Sequence, residues 1–330
     1  MSKSRNLNFA NFICHFGDKF EMLDLVEEVI IPAFTLPLRR KYSHTEYFFH
    51  EVSLFNLGSR HSPVAALAGR FVKDTRIHRE QVLKGGALVP DRRSMESAPS
   101  AFFVLILNDH KLIYMPETKG APSIEAFRST VQKFASNTHK IFADQQYQDV
   151  KHLDSQTTRN SILELFPKPT IEVIPLSSEA SLDSFIKKFN VLSEIRVRLI
   201  DPNGELDNEE LFDDLQRSKD NLGAKTTEVT HRNPKGMSKN NAVKQLKVAA
   251  QRGNTEITVG GKDLQGDKLS GNNDHFKLSV SVKDIPITIG GAAEKLYETL
   301  KSVVKKGILA VGKPLADPTL KIAKILRHME

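Results

Sequence analysis

Six consecutive apolar residues, Phe102-Phe103-Val104-Leu105-Ile106-Leu107, precede Asn108-Asp109 and then Lys111-Leu112-Ile113-Tyr114-Met115. An apolar run of this length reads as a strand buried in a sheet rather than one lying half in water. Asn and Asp accept the left-handed backbone that a tight reversal needs. The segment predicts a buried strand, a turn and a returning strand, and any fold open to the chain has to enclose that β-hairpin.

The rest of the first half reads as further strands with a few helices. Residues 7–14 alternate as a half-buried strand with Cys14 as inert core, and 47–54 suggest another. Met22, Leu23, Val26 and Ile30 are spaced for a helix that Pro32 closes. Ser123 is placed to cap a helix with Ile124, Phe127, Val131 and Phe134 on one stripe. Residues 146–168 are polar and read as a connector, part of which can be helical. Beyond it, 170–175, 181–189 and 195–200 read as strand, helix and returning strand, consistent with a βαβ unit. An acidic helix at 207–222, a strand at 225–230 and a helix opened by Ser238 follow. The alternating segments 255–259 and 275–282 are expected as antiparallel strands, and basic helical material at 292–327 ends the chain. No internal repeat is present. The expected fold is α+β in two lobes, 1–145 and 169–330, with mixed, largely antiparallel sheets and packed helices.

The 330 residues include 47 Lys and Arg against 40 Asp and Glu, a net charge of +7. An apolar share of 39% is enough for a core and excludes general disorder. One cysteine excludes a disulfide framework and any Cys-based metal centre within one chain. No apolar run reaches the ~18 residues of a membrane helix, and no secretory h-region follows the basic start. These features predict a cytoplasmic protein with no cofactor and no membrane partner.

The charge is uneven. Residues 224–253 hold seven cations, Lys225, Arg232, Lys235, Lys239, Lys244, Lys247 and Arg252, against Glu228 alone. In the helix, Ala242, Val243, Leu246 and Ala249 form an apolar stripe, and Asn240, Lys244, Lys247 and Gln251 fall opposite it. A loop rich in Lys, Asn and Gly running into a helix start offers N–H donors and cations together, which suits phosphate. Arg232, Lys235, Lys239, Lys244, Lys247 and Arg252 are therefore the candidate nucleic-acid-binding residues. A second basic stretch, 39–93, has eleven cations against five carboxylates, among them Arg39, Arg40, Lys41, Arg70, Lys73 and Arg76. Tyr42, Tyr47, Phe48 and Phe49 lie near it and could stack on bases only if exposed. The bland alternative for both stretches is a solvated face balanced by nearby carboxylates.

Other patterns are weaker. Asp109-His110-Lys111 follows an apolar strand, as the Asp-x-Lys half of a metal-dependent nuclease signature would, but equally suits a turn. The run Glu205, Asp207, Glu209, Glu210, Asp213 and Asp214 fits the first turns of a helix better than a metal site. His44 and His50, near Glu46 and Glu51, are the closest approach to a ligand set. Gly260-Gly261-Lys262 lacks P-loop spacing. The C-terminal lysines flank Val303, Val304, Ile308, Leu309, Ile322 and Ile325, a pattern that serves packing on the chain's own domain first, then self-association or a protein partner, and least an anionic membrane surface.

At 102–115, and again at Gly253-Asn254-Thr255-Glu256-Ile257-Thr258-Val259-Gly260, the chain resembles an uncharacterised bacterial protein family associated with anti-phage defence islands. The likeness is one of layout over most of the chain and carries no catalytic motif, so no functional residue transfers with it. It implies a bacterial cytoplasmic protein whose target is foreign nucleic acid. The sequence thus predicts a protein that binds nucleic acid through its phosphate backbone. A metal-dependent nuclease and an oligomeric or partner-binding subunit of a defence complex are the alternatives.

Overall fold

The computed structural model describes residues 4–153, 155–201, 206–207, 213–314 and 316–327. In chain order the first elements are β1 (Arg5–Phe16), β2 (Phe20–Glu21), α1 (Ile31–Thr35), β3 (Arg40–Tyr42), β4 (Thr45–Asn56), β5 (Ala65–Lys84), β6 (Ala87–Ser97), β7 (Ser100–Ile106), β8 (Lys111–Pro116), α2 (Ile124–Lys151) and α3 (Arg159–Leu165). Then come β9 (Pro169–Pro175), α4 (Glu179–Ile186), β10 (Val191–Leu199), β11 (Leu206–Asp207), α5 (Asp213–Asn221), β12 (Thr227–Arg232), α6 (Lys239–Arg252), β13 (Thr255–Lys262) and β14 (Lys268–Asn272). The last are β15 (Ser279–Val282), α7 (Ile289–Lys305), β16 (Lys313–Pro314) and α8 (Ala316–Arg327).

The apolar run at 102–107 lies inside the larger sheet, whose order is β15-β1-β8-β7-β5-β4-β3. Alternate residues of β7 point to opposite sides and both sides are covered. Phe103 and Leu105 join one core with Phe127, Val131 and Phe134 of α2 and with Ile322 and Ile325 of α8. Phe102, Val104 and Ile106 join a second core with Ala293, Leu296, Leu300 and Val303 of α7. A strand sandwiched between helical layers has no wet face, which is why its sequence does not alternate. The turn is made by His110, which adopts φ +53°.

The smaller sheet, β12-β10-β13-β14, carries α4 and α6 on one face. Leu182, Phe185 and Phe189 meet Ile195 and Val197 of β10, Val243 and Leu246 of α6, and Ile257 and Val259 of β13. The α+β class is as the sequence predicts, and the sheet pairings are antiparallel.

Several local expectations differ. The strands at 170–175 and 195–200 do not form a βαβ unit, because β9 pairs with β1 while β10 belongs to the other sheet. Segments 255–259 and 275–282 both supply antiparallel strands, but the second is strand only at Ser279–Val282 (β15), which pairs with β1, while β13 pairs with β10 and β14. Pro32 does not close a helix. It stands in the first turn of α1, after a 3₁₀ turn at Met22–Leu25 and a π turn at Val26–Ile30. A proline is tolerated there because a first-turn N–H has no intrahelical partner to lose. The connector is helical at both ends, where α2 runs on to Lys151 and α3 begins at Arg159. In the acidic run, Glu205, Glu209 and Glu210 lie outside the described residues.

Candidate nucleic-acid interface

Helix α6 forms where the sequence places it. Ser238 Oγ accepts the Asn241 N–H at 3.4 Å, and Gly253 closes the other end at φ +71°. Ala242, Val243, Leu246, Ala249 and Ala250 are buried against the smaller sheet, so the Asn240–Lys244 face points to solvent. The preceding loop is tied down: the Asn233 and Met237 N–H groups donate to the Ser193 and Leu192 carbonyls at 2.9 and 2.8 Å. The Asn233 amide also donates to the Gly236 carbonyl at 2.7 Å and accepts from the Lys235 N–H at 3.0 Å. Lys235 and Lys244 are exposed and Lys239 is half-buried, and among the described residues none of the three makes an ion pair.

The other three candidates are placed differently. Lys247 pairs with Glu179 of α4 at 3.3 Å. Arg232 pairs with Glu194 at 3.2 Å on the face of the smaller sheet that α4 and α6 leave uncovered. There it joins a lattice in which Arg196 bridges Glu194 and Glu228, and Arg198 bridges Glu172 and Glu256. Its two arginine partners hold Glu194 below the usual carboxylate range, Arg232 first and then Arg196. Arg252 is half-buried in the last turn of α6. The six residues therefore do not form one patch, because β12 and α6 present theirs to opposite sides of a two-layer unit.

The second basic stretch is largely neutralised in place. Arg39 and Lys41 both pair with Glu46, at 3.1 and 3.2 Å, and hold its carboxyl low, Lys41 first. Arg40 donates to the Thr130 hydroxyl at 3.0 Å. Arg70 pairs with Glu51 and, at 3.3 Å, with Glu117. Arg76 reaches Glu96 at 3.6 Å, and Lys73 is half-buried. Of the four nearby aromatics, Tyr47 and Phe49 are half-buried against the core, Phe48 lies under the Arg39 guanidinium, and Tyr42 is exposed.

Asp109 and Lys111 do not open a metal site. Lys111 is 3% exposed and donates to Asn11 Oδ1 at 2.7 Å. Burial pushes its amine down to about 8, against the pull of Asp109. Burial likewise raises the Asp109 carboxyl, with Lys111 opposing. His44 and His50 are exposed, and among the described residues no three His, Cys, Asp or Glu side chains converge. The turn instead forms a buried polar pin. Asn11 passes the contact on, donating to Asn254 Oδ1 at 2.9 Å and to the Gly253 carbonyl at 3.3 Å. That chain fixes the end of α6 to the larger sheet, a role the sequence hides because Asn11 sits unremarked within an apolar strand.

Gly253 is central to the pin. A Cβ there would lie 2.5 Å from Leu176 Cδ2 and 2.9 Å from Asn11 Cβ. Gly253→Ala is expected to destabilise the protein by about 1–2 kcal/mol from the left-handed backbone alone, read as a lower urea midpoint with unchanged slope.

The C-terminal helices use their apolar faces within the chain, α7 on one side of the larger sheet and α8 on the other. Among the described residues no helix is long and apolar enough to cross a membrane. Together the fold and this surface define an α+β protein with a moored, lysine-bearing helix. Residues 158–289 match the model of an uncharacterised family, the domain of unknown function DUF4747. That span includes the smaller sheet, α4, α6 and the loop before α6. No curated protein matches the chain.

Proposed function

We propose that the protein binds nucleic acid through its phosphate backbone, with Lys235, Lys239 and Lys244 as the principal contacts. The observation that carries the reading is that these three side chains, on a loop and helix fixed to both sheets, make no ion pair among the described residues. Cations already satisfied by carboxylates gain little from a phosphate, whereas unpaired ones release counterions on contact. Lys247 and Arg232 are secondary for that reason. On the resemblance drawn from residues 102–115 and 253–260, the proposal extends to a sensor or effector that meets foreign nucleic acid in a bacterial cytoplasm; the matched family is itself of unknown function.

The test is binding of labelled duplex and single-stranded DNA and RNA across a salt series, with and without magnesium. Phosphate contacts by these three lysines predict that log K for duplex DNA falls with log salt at a slope of at least about −2.7, steeper with any further contact. Absence of binding at the lowest salt would remove nucleic acid as the ligand.

A further inference from the structure

Strand β5 outruns the sheet that contains it. It pairs with β7 up to Val72 and with β4 up to Asp74, but from Thr75 onward its ladder is with β6 alone. Residues 75–97 therefore form a two-stranded arm, closed by Gly85 and Gly86 at φ +56° and +81°, the signs of a type I′ turn. Ten residues a side make it roughly 30 Å long. Large apolar side chains stand in water along it as cross-strand pairs: Ile77 with Met95, 51% and 65% exposed, and Leu83 with Leu88, 70% and 65% exposed. A lone two-stranded hairpin is marginally stable in water, so a ribbon built this way fits a partner.

The partner is indicated by charge, width and composition. Residues 75–97 hold five Lys or Arg against three carboxylates. Arg79 and Arg93 share Asp91, and Arg76 reaches Glu96. Lys84 near the tip and Arg92 at the bulge make no ion pair among the described residues. At the bulge, His78, Arg79, Arg92 and Arg93, together with the carboxylate Glu80, line a concavity of about 550 Å³. One face of such a ribbon offers roughly 300 Å² from its length and strand spacing, well short of the ~800 Å² per partner of a stable interface. Neither a second copy nor a duplex is held by one arm face alone, so the unpaired cations and the width of the ribbon decide between them. The major groove of B-DNA, about 12 Å wide, admits a two-stranded ribbon. The arm contains no Phe, Tyr or Trp, so it lacks the stacking platforms of a single-strand binder.

Resting on the nucleic-acid reading above, we propose that the arm lies in the major groove of duplex DNA, with Lys84 and Arg92 on phosphates and Leu83 and Leu88 against base edges. The experiment compares the full chain with Lys84→Glu/Arg92→Glu and with Leu83→Ser/Leu88→Ser. The probes are a 20-base-pair duplex and a single strand of equal length, and solution mass is measured by light scattering. All four side chains are solvent-facing, and circular dichroism confirms folding.

The charge variant is expected to bind duplex at least tenfold more weakly with a salt slope reduced by about 2, and to change single-strand binding by less than threefold. The tip variant is expected to lose about fivefold in duplex affinity with its slope unchanged. Wild-type binding to duplex that neither variant alters would overturn the arm proposal and leave the α6 lysines standing. No binding by the wild type overturns both. A lower mass for the tip variant with DNA binding intact would identify a second copy of the chain as the arm's occupant and overturn the proposal.

Discussion

Lys111→Met is expected to flatten the rise of stability with pH between about 8 and 10. In the folded chain the Lys111 amine is enclosed, with its Nζ on Asn11 Oδ1, and burial lowers it to about 8 from an ordinary 10.5. Below about pH 8 both the folded and the unfolded chain carry the proton, and the cost of enclosing the charge is fully present. Between about 8 and 10 the unfolded lysine keeps a proton that the folded one has lost. The unfolded state then binds more protons, so unfolding becomes harder as pH rises. Two pH units correspond to about 2.7 kcal/mol. Methionine has no proton to lose, so the wild-type-minus-variant difference should climb by about 2–3 kcal/mol over that window. Urea titrations at four pH values from 7.5 to 10 measure it. Parallel curves for the two proteins would mean that the amine is hydrated rather than enclosed.

The largest effect on binding is expected from Lys235→Glu/Lys239→Glu/Lys244→Glu. Removing three phosphate contacts lowers the salt slope on duplex DNA by about 2.7, and reversal of the charges adds repulsion, so affinity near 100 mM salt should fall by about 100-fold or more. None of the three holds an ion pair among the described residues, so the melting temperature should stay within a few degrees. Lys247→Glu is the internal comparison. That lysine already faces Glu179 at 3.3 Å, and its loss should weaken binding several-fold less than the triple change. Fluorescence anisotropy on one labelled duplex resolves the difference. Lys247→Glu carries one third of the charge change, so a loss one third that of the triple variant on a logarithmic scale would mean that net charge, rather than these positions, governs binding.

Much of the fold can be read from the sequence, and the limits have physical causes. The hairpin at 102–115, the Ser123 and Ser238 caps and the apolar stripe of α6 are local properties written in consecutive residues. Strand partners are not local. Periodicity identifies 170–175 as a strand but says nothing of β1, whose partner residues lie more than 150 positions upstream. Charge has the same limitation. Cations can be counted along the chain, but Arg232 is neutralised by Glu194 and Lys247 by Glu179, carboxylates remote from the stretch that was counted. The arm was signalled by Gly85-Gly86 between Val82-Leu83 and Leu88-Val89, a two-residue hairpin pattern. The residues leading into it are locally ambiguous, because Arg70, Lys73 and Arg76 fall at helical spacing while Phe71, Thr75 and Ile77 fit a strand. Asn11 gave no sign, because a polar residue in an apolar strand becomes meaningful only once Lys111 and Asn254 stand beside it.

The way β1 is shared bears on how the protein is made. Arg5–Asn8 pair with β15 and Ala10–Phe16 with β9, so β1, once synthesised, waits for residues near 175 and then near 282 before its hydrogen bonds are complete. Contacts so distant in sequence make for slow folding and leave bare strand edges on the growing chain. The same arrangement makes 158–289 a poor fragment to express alone. It would carry β9 and β15 without the strand they pair with.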